Sequence, residues 1–327
     1  MSATLDKLVP PGTFDTPAFV RLRRVGILLP FAILFVVLSL TSSSFFTKVN
    51  LLNILDQQSA TLIIAAAGTL VLVAGGIDLS VGAVYSLAGV TSAHFAQHTN
   101  PAIAIFLGVA VGLLVGLANG LITTTFNINA LITTLAMSFI VDGLASLVTN
   151  GNLLVLFDKP GFGKLARTDI FTVRSSTWLM IAAVLVIGFL LSSTIAGRYM
   201  YASGGNAEAA RLAGVRVNGI RVLAFAVSGT AAGLAGVIDT SRVLSAQAST
   251  GDTALTFTVL AGIVVGGTSI LGGEGAVWRT VVGVLFIALI GNGYDLLGLD
   301  PLYEQITLGL IMLLAVGLDA WARQRAG

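Results

Sequence analysis

The chain has no cysteine among its 327 residues. That excludes a disulfide framework, a thiol nucleophile and a thiolate metal site. Histidine occurs twice, at His94 and His98. Two histidines near the end of one apolar run do not build a metal centre, and an interfacial role is expected of them. Charge is scarce too: Asp, Glu, Lys and Arg make up 10% of the residues, while hydrophobic residues make up 56%. A soluble domain carries roughly 25% charged residues, so this chain cannot cover a soluble surface and must hide apolar faces in lipid. The formal net charge of +2 does not point to nucleic acid. The basic residues sit at the ends of apolar runs and form no stripe. No phosphate-cradling loop with its Lys-Ser/Thr is present, and the glycine-rich stretch Gly266–Gly275 lacks that lysine, so ATP is not bound by that route. No cleavable signal peptide is expected: a polar start leads to Arg21, Arg23 and Arg24 and then to an apolar run of full span length.

The apolar runs and 38 glycines remain. Membrane helices use glycine to pack closely. The fold class read from this is an all-α polytopic membrane protein with about ten transmembrane helices, near 26–46, 54–74, 79–97, 101–124, 129–149, 177–194, 222–240, 255–271, 276–297 and 303–320. Short glycine-rich breaks separate spans two and three, and spans eight and nine. They predict tight turns or half-helices inside the protein. Polar loops run from Asn150 to about Ser176 and from Ile195 to Arg221. Ten spans put both termini on one side. Arg21, Arg23, Arg24, Arg323 and Arg325, with the 195–221 loop, mark that side as cytoplasmic. The basic residues of the 150–176 loop oppose this only mildly. The expected organisation is a cytoplasmic segment 1–25, a transmembrane domain 26–320 with a cytoplasmic loop 195–221, and a cytoplasmic tail 321–327.

A five-plus-five inverted repeat is a further expectation. Gly116–Met137 aligns without gaps on Leu289–Leu310, placing Asn119-Gly120 on Asn292-Gly293 and Thr134 on Thr307. Ile77-Asp78-Leu79-Ser80 echoes Ile238-Asp239-Thr240-Ser241 in a looser register.

Three motifs stand out. In Gly75-Gly76-Ile77-Asp78-Leu79-Ser80-Val81-Gly82 an acid adjoins a membrane span. Such an acid faces protein or a water-filled path. The two glycines admit conformations other residues avoid, and Asp78 or Ser80 suits a cap on the next helix. Capping and substrate contact are both open readings of Asp78. In the segment Gly204–Gly214, Asn206 suits an N-cap and Gly214 a C′ position. Glu208 early and Arg211 late agree with the helix dipole. The helix between them is too short to stand alone. It packs either on a cytoplasmic partner or on its own membrane domain. The row Gly108, Gly112, Gly116, Gly120 predicts close helix packing.

The glycine-flanked Asp78 motif resembles a signature of ribose/xylose-type ABC transporter permeases, the inner-membrane components of binding-protein-dependent transport. So do Tyr201–Val215, Gly266-Gly267-Thr268-Ser269 with Gly272-Gly273-Glu274-Gly275, and Asn292-Gly293. The likeness runs over nearly the whole chain after residue 26, with the motifs in family order. It departs at Arg279, Asp142 and Leu255–Val259.

The resemblance implies a multi-pass protein of the bacterial inner membrane that imports a monosaccharide, a ribose-like pentose or a hexose. Its partners would be a sugar-binding protein, ABC ATPase subunits and a second permease copy. ATP would be bound by the ATPase subunits, so the chain itself needs no cofactor. The short segment becomes a coupling helix, with Gly205, Asn206, Glu208, Arg211, Leu212 and Gly214 docking on the ATPase. A neutral polyol needs hydroxyl and amide partners. Gln57, Gln58, Asn119, Asn127, Asn129, Thr133 and Asn292, with Asp78 and Ser80, are the candidates for the path. An intramembrane enzyme is the first alternative, but His94 and His98 have no evident acid partner. A passive channel is the second, and it would need no docking helix.

Overall fold

The computed structural model describes residues 26–251 and 253–324. The expected cytoplasmic segment 1–25, with Arg21, Arg23 and Arg24, and the end of the tail, 325–327, lie outside them. The described chain is a bundle of α-helices with four two-residue strands. The first half contains α1 (Leu28–Thr41), α2 (Lys48–Gln57), α3 (Ser59–Val73), α4 (Val81–His98), α5 (Pro101–Thr125) and α6 (Ala130–Thr149). After β1 (Leu154–Val155), α7 (Pro160–Arg167), β2 (Asp169–Ile170) and β3 (Val173–Arg174) come α8 (Ser175–Ser193), α9 (Ile195–Gly205), α10 (Ala207–Leu212) and α11 (Val217–Val243). The chain finishes with β4 (Ser245–Ala246), α12 (Thr253–Val265), α13 (Val277–Leu297) and α14 (Pro301–Gln324).

Each expected span contains a helix. Among the described residues five helices, α5, α6, α8, α11 and α13, are long and apolar enough to cross a membrane. The pair α2 and α3, bent by 50° at Gln58, makes a sixth if counted as one span. Two of the others end before the sequence reading expected. The first span stops at Thr41 instead of continuing to residue 46. The eighth stops at Val265, because Gly267 takes φ +83° and turns the chain out of the helix.

The core forms around α11, which packs on α3, α4 and α5. Its contact with α5 is main chain on main chain. A Cβ on Gly112 would stand 2.3 Å from the Gly229 carbonyl oxygen, and one on Gly116 would stand 2.3 Å from that of Phe225. The fourfold spacing of Gly108, Gly112, Gly116 and Gly120 is therefore a crossing groove for α11. With 27 residues α11 is roughly 40 Å long at 1.5 Å per residue, and the polar loops lie at its opposite ends. At its start Asn218 donates to the Thr124 carbonyl. At its finish Ser241 donates to the Phe162 carbonyl, and β4 pairs with β1.

The echo of Ile77–Ser80 in Ile238–Ser241 does not survive in local structure. Residues 77–80 lie outside any helix, whereas 238–241 lie inside α11. Gly75 and Gly76 end a helix before the first tetrapeptide. Before the second, Gly236 lies mid-helix, where a Cβ would stand 2.1 Å from the Tyr85 carbonyl oxygen. That glycine serves packing instead of termination.

Candidate functional site: a buried turn and an exposed short helix

The end of α3 shows why the chain breaks there. The Gly75 amide donates to the Leu72 carbonyl and the Gly76 amide to the Val71 carbonyl, each at 2.9 Å, with Gly75 at φ +80°. This paired pattern closes a helix through a left-handed residue. Residues 76–80 then run without regular structure before α4 begins. Non-helical backbone at membrane depth must find partners within the protein, and side chains supply them. Thr134 Oγ1 accepts from the Leu79 amide at 3.0 Å and donates to the Ile77 carbonyl at 3.3 Å. The Gly82 amide donates to Thr256 Oγ1 at 3.2 Å, so α12 caps α4.

Asp78 is the hub of this turn, and is 4% exposed. Its Oδ1 accepts from the Ser80 amide at 3.0 Å and from the Ser80 hydroxyl at 2.7 Å. Its Oδ2 accepts from the Ser228 hydroxyl of α11 at 2.8 Å. Ser80 Oγ in turn accepts from Asn119 Nδ2 of α5 at 2.8 Å. Asn119 is fully buried, and its Oδ1 has no hydrogen-bond partner among the described residues. Ser228 is eleven residues into α11, roughly 16 Å along its axis, so the cluster sits well inside the bundle.

The structure thus brings together Asp78, Ser80 and Asn119. The other path candidates lie elsewhere. Gln57 is exposed at the end of α2 and Gln58 forms the bend. Asn127 and Asn129 are exposed in the α5–α6 connection, Asn127 at φ +54° and Asn129 as the N-cap of α6. Thr133 is buried and donates to the Asn129 carbonyl at 3.2 Å. Asn292 forms a reciprocal amide pair with Asn50 at 2.9 and 3.0 Å.

Sequence reasoning missed a second buried cluster. Tyr85 of α4 donates to Asp239 Oδ2 at 2.6 Å, and Arg242 reaches Asp239 Oδ1 at 3.1 Å through Nε and 2.5 Å through Nη2. Opposite charges three apart on one helix were the legible signal. Ser228 carried no such signal, being one hydroxyl among many in an apolar helix. Thr134 had been noted only for the repeat. His94 and His98 stack edge to face at 5.6 Å. Among the described residues no group of three or more possible ligands could hold a metal ion.

The second feature is exposed. Asn206 Oδ1 accepts from the amides of Glu208 and Ala209 at 3.1 and 2.9 Å, opening α10. Gly214, at φ +86°, closes it: its amide donates to the Arg211 carbonyl and that of Val215 to the Ala210 carbonyl. Ala210 is buried, while Gly205, Glu208, Arg211 and Gly214 are exposed and Leu212 is 86% exposed. A six-residue helix presents an apolar tip flanked by one acid and one base.

A family model described as "Branched-chain amino acid transport system / permease component" matches residues 50–316. The ribose import permease protein RbsC of Escherichia coli (strain K12) is 35% identical over 296 residues, covering 89% of this chain and 92% of that protein. RbsC of Bacillus subtilis (strain 168) is 36% identical over 300 residues, covering 91% and 93%. The L-arabinose transport system permease protein AraH of Escherichia coli (strain K12) is 35% identical over 302 residues, covering 92% of each. The chain belongs to the transport-system permease family that includes these ribose and L-arabinose permeases.

Proposed function

We propose that this protein is the membrane-spanning permease subunit of an ABC importer for a monosaccharide of the ribose or arabinose class. The observation that carries it is the near-complete alignment with ribose and L-arabinose permeases at 35–36% identity. The chain works as a transport subunit in a bacterial inner membrane, crossing it about ten times, with the loop 195–221 and both ends in the cytoplasm. An inverted five-plus-five repeat accounts for the gapless match of residues 116–137 to 289–310. ATP is held by separate ATPase subunits, a binding protein delivers the sugar, and two permease copies enclose the path.

Each element has a stated part. α10 docks on the ATPase through Leu212, Glu208 and Arg211, its ends fixed by Asn206 and Gly214. A helix so short is stable only when capped and packed, and here the caps leave its tip free for a partner. The Asp78 turn fixes the non-helical segment 76–80 in place. Asp78 spends both oxygens on protein donors, which favours a structural part for it. Asn119 Oδ1 is the acceptor left over for a sugar hydroxyl.

Expression in cells lacking their own pentose uptake, together with the ATPase and binding protein, tests the reading. Accumulation of labelled D-ribose or L-arabinose is expected, and it must vanish when any one component is omitted. Entry of sugar only to equilibrium, with no need of the ATPase, would mean a passive channel.

A further inference from the structure

Three chain segments meet main chain to main chain on the face that carries α10. Gly204, the second-to-last residue of α9, is wedged between the end of α3 and the loop before α13. A Cβ there would stand 1.9 Å from the Val73 carbonyl oxygen and 2.6 Å from the Gly273 nitrogen. A Cβ on Gly272 would stand 2.9 Å from Gly75 Cα and 3.0 Å from the Gly204 carbonyl oxygen. Two hydrogen bonds tie the segments: the Gly273 amide donates to the Val73 carbonyl at 3.0 Å, and the Tyr201 hydroxyl to the Gly275 carbonyl at 2.8 Å. Burial pushes the Tyr201 phenol up, keeping it a donor.

The consequence is mechanical. Side chains in a contact can change rotamer and absorb a displacement, but glycine backbones in contact cannot. α10 follows α9 across Asn206, whose amide still donates to the Ala202 carbonyl at 3.1 Å. A push on α10 therefore reaches Gly204 and, through it, Val73 and residues 272–275. Val73 leads through Gly75 and Gly76 into the Asp78 turn, which grips α11 through Ser228 and α5 through Asn119.

We propose that Gly204, seated against Val73, Gly272 and Gly273, is the joint that carries displacement of the docked α10 to the Asp78 turn. Gly204 is thus a positioning residue for transport. This rests on the permease reading above and adds the route by which ATPase motion enters the membrane bundle.

The test uses the full complex in proteoliposomes, with D-ribose and L-arabinose as the sugars. Two quantities are read: ATPase subunit retained on the permease, and sugar imported per ATP hydrolysed. Gly204→Ala is expected to retain the subunit, because the surface of α10 is untouched, and to lower the ratio by at least roughly tenfold, within the range of allosteric couplings. Gly219→Ala lies on the same face, where the new Cβ approaches only Arg216 Cβ, at 4.0 Å. It is expected to keep the wild-type ratio. If Gly204→Ala does not accumulate, Tyr201→Phe decides. It removes one tie without adding bulk, and is expected to retain the subunit and lower the ratio roughly threefold, as for one lost hydrogen bond. A wild-type ratio in Gly204→Ala, or in Tyr201→Phe when that variant decides, overturns the joint. Loss of the ATPase subunit from Gly204→Ala also overturns it, since Gly204 would then belong to the docking surface. A wild-type complex that imports neither sugar and retains no ATPase subunit overturns the permease reading itself.

Discussion

At the scale of single residues, Asp78 shows how a carboxyl group is kept inside a membrane bundle. Three donors converge on it: the Ser80 amide, the Ser80 hydroxyl and the Ser228 hydroxyl. Removing the acceptor strands those donors, and a stranded buried group costs more than the bond was worth. Asp78→Ala is therefore expected to destabilise the protein by about 3 kcal/mol or more. Asp78→Asn keeps an acceptor for Ser80, and its amide can donate to the Ser228 hydroxyl, so a loss of about 1 kcal/mol or less is expected. Thermal unfolding in detergent measures both. Equal losses in the two variants would sink the hydrogen-bonding account. Asp78, Ser80 and Asn119 were legible in the sequence because each is a polar residue in apolar surroundings, with a glycine pair two residues before Asp78 and a glycine next to Asn119. Their partners Ser228 and Thr134 were not, because only the fold decides which hydroxyl of an apolar helix meets which turn. Asn127 and Asn129 have local parts of their own. Asparagine suits a left-handed turn and an N-cap as well as it suits a path, and it does those two things here.

Among the elements, α10 repays comparison with the long helices. The long ones were announced by their apolar runs. α10 was legible for another reason: an N-cap asparagine and a C′ glycine bracket a run of good helix formers. The regular segments the sequence hid are α2, α7 and α9. α7 and α9 lie in loops and are too short to show a span's apolar run, and α2 merges with α3 until Gln58 bends the chain by 50°. If α10 is the docking helix, changing Glu208, Arg211 and Leu212 together to Ala should leave α10 formed, since Ala favours helix. Sugar uptake should fall by at least roughly tenfold, as loss of one exposed anchor does at an interface. Uptake by the triple variant, at equal amounts in the membrane, gives the answer. Normal uptake would move ATPase docking elsewhere.

For the whole molecule, the two polar loops lie at opposite ends of α11, as an alternating topology requires. The absence of cysteine makes sidedness directly measurable. Gly161 is exposed at the start of α7. A Gly161→Cys variant should react with an impermeant thiol reagent applied to the outside of intact cells. Reaction only after lysis would invert the topology and set α10 on the wrong side for an ATPase. Import of a sugar by this chain with energy from a separate ATPase is what the proposed function requires. Its most direct test is purified permease, ATPase and binding protein in proteoliposomes, with ATP confined to the side of α10. The account predicts uptake of D-ribose or L-arabinose against a gradient, dependent on ATP hydrolysis and on the binding protein. Sugar that merely equilibrates, at the same rate with or without ATP, would contradict it.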